Sequence, residues 1–349
     1  MLLVHNLTKM GLDLKLLVSP RPIFTTELSS RVIAVDAYNT IYQFLSTIRG
    51  QTGELLTDNK GNITSHLSGL FYRNINLLAE NLRLIYVFDG KPHHLKSKEI
   101  ERRKRIKQEA VEKYQEAITE GRFEDARKFG QATSVLTQTM VEESKRILAL
   151  LGIPVVQAQS EGEAAAAYLT KSDNAFCAAS QDYDSILFGA KRLVRNLTIS
   201  GKRKVPNRNL YLDIQPEIIK HVDVLDKMGL THEQLVDIGI LIGTDFNPEG
   251  VAGIGPKTAL KLIREYGKLE NIDKIKDKIV QIPYQDIRDI FLNPEVPKIN
   301  NIEYTDVDYS NVVDFLCGEK DFSRERVTAA LDRLKKSISS RNQSLENWF

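Results

Sequence analysis

Three short apolar runs in this chain stop at an acid. Val32 to Val35 leads into Asp36, Leu84 to Phe88 leads into Asp89, and Ala175 to Ala179 is soon followed by Asp182 and Asp184. Each run is short and unbroken by charge, the pattern of a strand buried on both faces. Asn39 to Ile48, Ser65 to Asn81 and Thr139 to Leu151 carry apolar positions at helical spacing instead. This alternation, from Val32 to about Ile242, predicts an α/β fold with a mainly parallel central sheet flanked by helices. Open sheets of that kind hold ligands beyond the carboxyl ends of their strands. The acids at the strand exits therefore predict one negatively charged floor, assembled from distant parts of the chain.

Farther on, His232 to Tyr266 reads as helix–loop–helix around FNPEGVAGIG, and Arg324 to Ile338 reads as a charged amphipathic helix. The polar run SISSRNQ after it predicts that the last residues form a free tail. Lys268 to Tyr309 is spotted with proline and yields no assignment.

Composition narrows the class. With 349 residues, 42% hydrophobic and 27% charged, the chain has the make-up of a soluble globular protein with a substantial core. No apolar run approaches the ~20 residues of a membrane span. The first nine residues are too short and too polar for a signal peptide. An intracellular protein is expected: cytoplasmic or nucleoid-associated in a prokaryote, nuclear in a eukaryote. Cys177 and Cys317 lie far apart and suggest no disulfide framework; Cys177 reads as a buried structural thiol.

The carboxylates have ordinary explanations one at a time. Ser160 and Glu163 fit a capping box, Asp182 and Asp184 suit a turn and an N-cap, and Asp245 could end a helix. Taken together, Asp36, Asp89, Glu161, Glu163, Asp182, Asp184 and Asp245 all sit at element ends and would repel one another in one site. Divalent cations remove that conflict. Oxygen ligands favour Mg²⁺, with Mn²⁺ able to substitute, over zinc. Seven acids exceed the needs of one ion. Two ions about 4 Å apart suit phosphodiester cleavage, where they clamp the attacking and leaving oxygens.

The net charge of +2 conceals two basic stretches, Lys96 to Lys107 and Lys191 to Arg208. Most such residues make a solvated face. Lys96 and Arg103, seven residues apart on one face of a helix that follows Asp89, could reach over the metals and hold a phosphate. Gly253-Ile254-Gly255-Pro256-Lys257 predicts a glycine turn opening a helix, where backbone amides meet phosphate. Followed by Lys257, Lys261 and Arg264, it favours contact with a duplex backbone without sequence readout.

The blocks VIAVDAYNTIYQFL (32–45), TSHLSGLFYR (64–73), YVFDGKP (86–92), SEGEAAAAYL (160–169), ASQDYDSILFGA (179–190), GILIGTD (239–245) and GIGPKTALKLI (253–263) occur in this order. From about Met10 to the C-terminus the chain resembles the flap endonucleases, structure-specific 5′ nucleases of DNA replication and repair. The resemblance implies that the same seven acids bind metal and that Lys96 and Arg103 are the catalytic pair. It puts Tyr42 where a base beside the scissile phosphate stacks. About 231–266 becomes a helix–two-turn–helix that grips the downstream duplex and can bind K⁺, with Gly253, Gly255 and Lys257 at the DNA. The charged segment 91–139 becomes a helical arch that the 5′ strand threads.

The implied division is an upstream extension (1–9), a nuclease domain (10–336) and a flexible tail (337–349). Within the nuclease domain lie an N-terminal region (about 10–110), the arch, an internal region (about 131–266) and C-terminal helices. Family members begin Met-Gly; here that pair is Met10-Gly11, which points to Met10 as an alternative start. Leu345, Trp348 and Phe349 have the spacing of a motif that docks on a sliding clamp of the proliferating cell nuclear antigen type. Asn342 stands where glutamine is expected, and Gln343 lies one residue late. The expected enzyme is a Mg²⁺-dependent monomer that cuts 5′ flaps on branched DNA, with 5′-3′ exonuclease activity. Its settings would be lagging-strand maturation and base-excision repair. The alternatives are a paralogous repair or junction-resolving nuclease, a haloacid-dehalogenase-type phosphatase suggested by Asp182-x-Asp184-Ser185, and a non-catalytic DNA-binding scaffold.

Overall fold

The apolar runs alternate between two cores. In the computed structural model, Ile33 and Val35 face one core and Ala34 the other; Leu84, Tyr86 and Phe88 oppose Ile85 and Val87 in the same way. A strand with both faces covered is apolar at every position, which is why these runs are continuous. The structure describes residues 14–199, 202–204, 211–296, 299 and 302–346.

Nine strands are present among them: β1 (Arg21–Pro22), β2 (Val32–Asp36), β3 (Arg83–Phe88), β4 (Val155–Gln157), β5 (Cys177–Ala179), β6 (Arg192–Arg195), β7 (Lys202–Lys204), β8 (Tyr211–Asp213) and β9 (Glu217–Lys220). Seven form one sheet in the order β1-β9-β6-β5-β2-β3-β4, and β7 and β8 pair as a separate ribbon. The central pairs are parallel, with Ala34 beside Ile85 and Ala178; β9 and β1 add an antiparallel edge. The mainly parallel sheet expected from the sequence is present.

Helices Gly162–Lys171 and His232–Ile242 cover one face. Helices Ala37–Thr47, Ser65–Ala79, Gln138–Leu150 and the C-terminal Arg324–Glu346 cover the other. Cys177 is buried there, and burial pushes its thiol up to about 12, as suits an inert core residue.

The C-terminal helix differs from expectation. It runs on through SISSRNQ to Glu346 rather than releasing a tail from 337. No proline or glycine interrupts it. Ser337 Oγ donates to the Ala79 carbonyl at 2.6 Å, and Arg341 Nη1 donates to the Leu78 and Ala79 carbonyls at 3.2 Å each. Those carbonyls lie in the last turn of Ser65–Ala79, where helical partners run out, so the polar run has work that its composition did not reveal. Met1, Met10 and Gly11 lie outside the described residues. Among the described residues, no helix is long and apolar enough to cross a membrane.

Candidate active site

Strand order reverses between β2 and β5, and the acids gather at the crevice that this reversal opens. Asp36 ends β2 and caps the next helix, its Oδ1 accepting from the Asn39 amide at 3.0 Å. Asp89 follows β3 and accepts from the Gly162 amide at 2.6 Å. A Cβ on residue 162 would lie 2.5 Å from that carboxylate oxygen, so glycine is what permits the approach. Glu161 and Glu163 flank it. The capping box allowed by the sequence is not made: Glu161 is the N-cap, and no side chain caps the helix.

Asp182 and Asp184 come from the turn after β5, and Asn39 pins that turn. Its Nδ2 donates to Asp182 Oδ2 at 2.8 Å, and its Oδ1 accepts from the Gln181 amide at 3.1 Å. Ser180 Oγ donates to Asp36 Oδ2 at 3.1 Å and accepts from the Asp182 amide at 3.2 Å. Asp245 enters three residues past the helix His232–Ile242. Asn39, Ser180 and Gly162 lie inside the sequence blocks quoted above, yet no periodicity marks them. Their roles depend on which strands are neighbours.

Crowding shows in the acidities. Burial pushes Asp36 up to about 6. Asp89 rises to about 7, first from burial and then from the charges of Asp36 and Glu161. Glu163 and Asp182 stand well above the carboxylate range, first because desolvation penalises their charged forms and then because each faces the Asp184 charge. Asp245 goes the other way. Burial would raise it, but the Lys96 and Arg103 charges together outweigh burial and hold it low.

Those two cations arrive from the segment after β3. Lys96 precedes the long helix Ser97–Thr119, and Arg103 lies two turns into it. The Lys96 ammonium pairs with Glu161 and lies 3.3 Å from Asp245 Oδ2. Arg103 Nη2 donates to Asp245 Oδ1 at 2.8 Å and Oδ2 at 2.9 Å. Among the described residues, no three acidic, histidine or cysteine side chains converge as ligands of a single ion. Glu161 and Asp245 are engaged by Lys96 and Arg103 instead. The donor set is nonetheless all carboxylate oxygen, and several of its members have their acidities pushed up, first by desolvation and then by neighbouring carboxylates. That chemistry fits a hard divalent cation.

The remaining predicted residues lie around this floor. Tyr42 projects from helix Ala37–Thr47 with Lys107 Nζ 4.7 Å from its ring centroid. Gly253, at φ +87°, and Gly255 are exposed before helix Pro256–Tyr266, whose Lys257 and Lys261 are also exposed. Arg264 is exposed as well, with its Nε and Nη2 donating to the Met228 carbonyl at 2.8 and 2.6 Å. The second basic stretch is also partly structural. Lys191 pairs with Asp173 at 2.6 Å, and Arg195 donates to the Gln181 carbonyl and the Tyr183 hydroxyl at 3.0 and 2.6 Å. Leu345 falls within the last helix, while Trp348 and Phe349 lie outside the described residues.

The chain matches the XPG N-terminal domain over residues 5–110 and the XPG I-region over residues 152–245. All seven acids and both cations fall within these two stretches. Flap endonuclease 1 of Nitrosopumilus maritimus is 54% identical over 340 residues, covering 97% of this chain and 100% of that protein. The chain belongs to the flap endonuclease family. It is a structure-specific flap endonuclease acting on DNA.

Among solved structures, flap endonuclease-1 from Methanococcus jannaschii matches with a TM-score of 0.71 at 36% identity, covering 95% of this chain and 100% of that one. The catalytic core of Rad2 in complex with DNA substrate matches with a TM-score of 0.68 at 24% identity over 90% of this chain and 96% of that one, a likeness of fold. For this flap endonuclease the phosphatase and non-catalytic readings are set aside. Neither accounts for a near-full-length relationship to nucleases. Nucleases of the family generally depend on divalent metal.

Proposed function

We propose that this flap endonuclease hydrolyses the phosphodiester at the base of a 5′ flap with two Mg²⁺ ions held by Asp36, Asp89, Glu161, Glu163, Asp182, Asp184 and Asp245. Mn²⁺ would substitute. The observation that carries the reading is the reach of Lys96 and Arg103 from the long helix onto Glu161 and Asp245. Two cations with phosphate-binding chemistry are poised over an acid floor that itself calls for cations. When bound, the metals would supply an activated water and charge stabilisation for the attacking and leaving oxygens. Lys96 and Arg103 hold the scissile phosphate over the floor, Arg103 through a planar fork. Asp36 and Asp182 keep their spacing through Asn39 and Ser180, so the site is preorganised before substrate arrives.

Helices Ser97–Thr119 and Phe123–Gly130 form the arch through which the 5′ strand passes. Tyr42 stacks the base next to the cut. Helices His232–Ile242 and Pro256–Tyr266 hold the downstream duplex through Gly253, Gly255 and Lys257, with K⁺ as a further ligand of the intervening turns. The protein acts inside the cell as a monomer in lagging-strand maturation and base-excision repair. It also trims 5′ ends at nicks and gaps and docks on a sliding clamp through its C-terminal residues. Incubating end-labelled nicked, flapped and four-way DNA with Mg²⁺ tests the reading. Flap-length products are expected, and symmetric cleavage of the four-way substrate in their place would overturn it.

A further inference from the structure

Glu99 is the one ionisable side chain buried on helix Ser97–Thr119; the other residues buried there are Ala110 and Ala117. Its residue exposure is 2%, on a helix otherwise dominated by solvated charge. Two guanidinium groups cover it. Glu99 Oε2 accepts from Arg102 Nε at 2.6 Å, and Oε1 accepts from Arg102 Nη2 at 2.7 Å and from Arg103 Nε at 2.7 Å. Arg103 is therefore held at both ends, by Glu99 through Nε and by Asp245 through Nη2.

A guanidinium is planar, so fixing Nε fixes the plane in which the terminal nitrogens lie. Left alone on its long stem, Arg103 would sample many rotamers. A single Glu–Arg pair would also cancel the charge that a phosphate needs. Here one carboxylate is shared by two arginines, which leaves a net positive charge on the trio while still orienting Arg103.

We propose that Glu99 is a positioning residue for Arg103, holding its guanidinium aimed at the floor so that the Nη nitrogens pass from Asp245 to the scissile phosphate when DNA arrives. This rests on the reading of Arg103 as the phosphate-holding arginine. Lys96 is engaged by Glu161 and Asp245, so its placement does not run through Glu99.

The test is a double-mutant cycle read by single-turnover cleavage of a 5′-flap DNA with saturating enzyme and Mg²⁺. Glu99→Gln keeps the side-chain volume and removes the charge; it is expected to slow cleavage about tenfold, and Glu99→Ala somewhat more. In an Arg103→Ala background, Glu99→Gln is expected to add less than about twofold. In a Lys96→Ala background the full effect should persist, because groups that act as a unit are non-additive and independent ones add. A purely structural role would slow all three backgrounds alike, and that result overturns the proposal, as does an unchanged rate in Glu99→Gln. If Arg103→Ala alone cleaves at the normal single-turnover rate, it is the reading of Arg103 that fails.

Discussion

Arg103 donates through Nη2 to both oxygens of Asp245, at 2.8 and 2.9 Å, across 142 residues of chain. With Lys96 on Glu161 and Asp245, it pairs two of the acids proposed as metal ligands. The same groups are the ones available to a phosphate. Lys96→Ala and Arg103→Ala are each predicted to slow the chemical step by about 10² or more, the cost of removing one charge-stabilising donor. Flap affinity should change far less. Single-turnover rates and equilibrium binding separate the two effects, and a loss confined to affinity would make both residues ordinary phosphate grips.

Asp182→Ala should abolish cleavage while leaving flap binding within roughly tenfold, since affinity for DNA comes mostly from phosphate contacts elsewhere. The loss is expected to exceed what a missing ligand alone implies, because Asn39 Nδ2 is left without its acceptor and the turn after β5 loosens. Near-normal turnover in Mg²⁺ would remove Asp182 from the metal site.

Acidity gives a third prediction. Asp89 titrates near 3.8 when unperturbed and is pushed up to about 7 here, by burial first and then by Asp36 and Glu161. Asp36 moves in the same direction, to about 6. Across that window the folded protein keeps a proton that the unfolded chain has released. The stability contributed by Asp89 is therefore fully present below its unfolded value and lost as pH rises through about 7. Without divalent metal, the melting temperature of the wild type relative to Asp89→Asn should fall from about pH 5 to about pH 8. Saturating Ca²⁺ should flatten the difference, because a cation replaces the proton as the counter-charge. A difference that rises with pH would contradict the burial argument.

Much of this site was legible because its acids mark strand ends. Asp36 and Asp89 terminate apolar runs whose continuity already implied a sheet covered on both faces, and Asp182 and Asp184 follow a third. What the pattern could not carry was lateral order. Asn39 bridging Asp36 and Asp182 requires β2 and β5 to be neighbours, a fact of topology rather than of local spacing. Glu99 was hidden for a different reason: acids relieving a basic helix look alike until burial separates Glu99 from Glu101. The carbonyl bonds of Arg264 and Arg195 were hidden because sequence shows charge but not the backbone that a guanidinium meets in the fold.

Lys257, exposed in the first turn of Pro256–Tyr266, is predicted to contact the downstream duplex. Lys257→Ala should weaken binding of nicked and flapped substrates and lower the salt dependence by about one unit of slope for each phosphate that is no longer neutralised. Arg264→Ala should lower that slope less than Lys257→Ala, because Nε and Nη2 of its guanidinium are turned to the Met228 carbonyl. Equal effects of Lys257→Ala on single-stranded and duplex-containing DNA would place Lys257 elsewhere on the substrate path.

The last prediction concerns the C-terminus. Helix Arg324–Glu346 is tied to the end of Ser65–Ala79 by Ser337 and Arg341. The single tryptophan of the sequence, Trp348, stands beside Phe349 three residues after Leu345. Paired aromatics near a chain end are effective docking anchors, since aromatic side chains dominate interface hot spots. A leucine three residues earlier would share one helical face with Trp348, as helix-in-groove recognition needs. A chain truncated after Arg341 keeps both carbonyl contacts and is expected to fold and to cut free flap DNA normally. It should lose stimulation by a DNA sliding clamp, and Trp348→Ala should behave nearly the same. Gln343→Ala should weaken clamp binding only partly, because Gln343 sits one residue late for the amide pocket and Asn342 occupies its place. Calorimetric titration with the clamp measures all three variants, and undiminished binding by the truncated chain would refute the docking role.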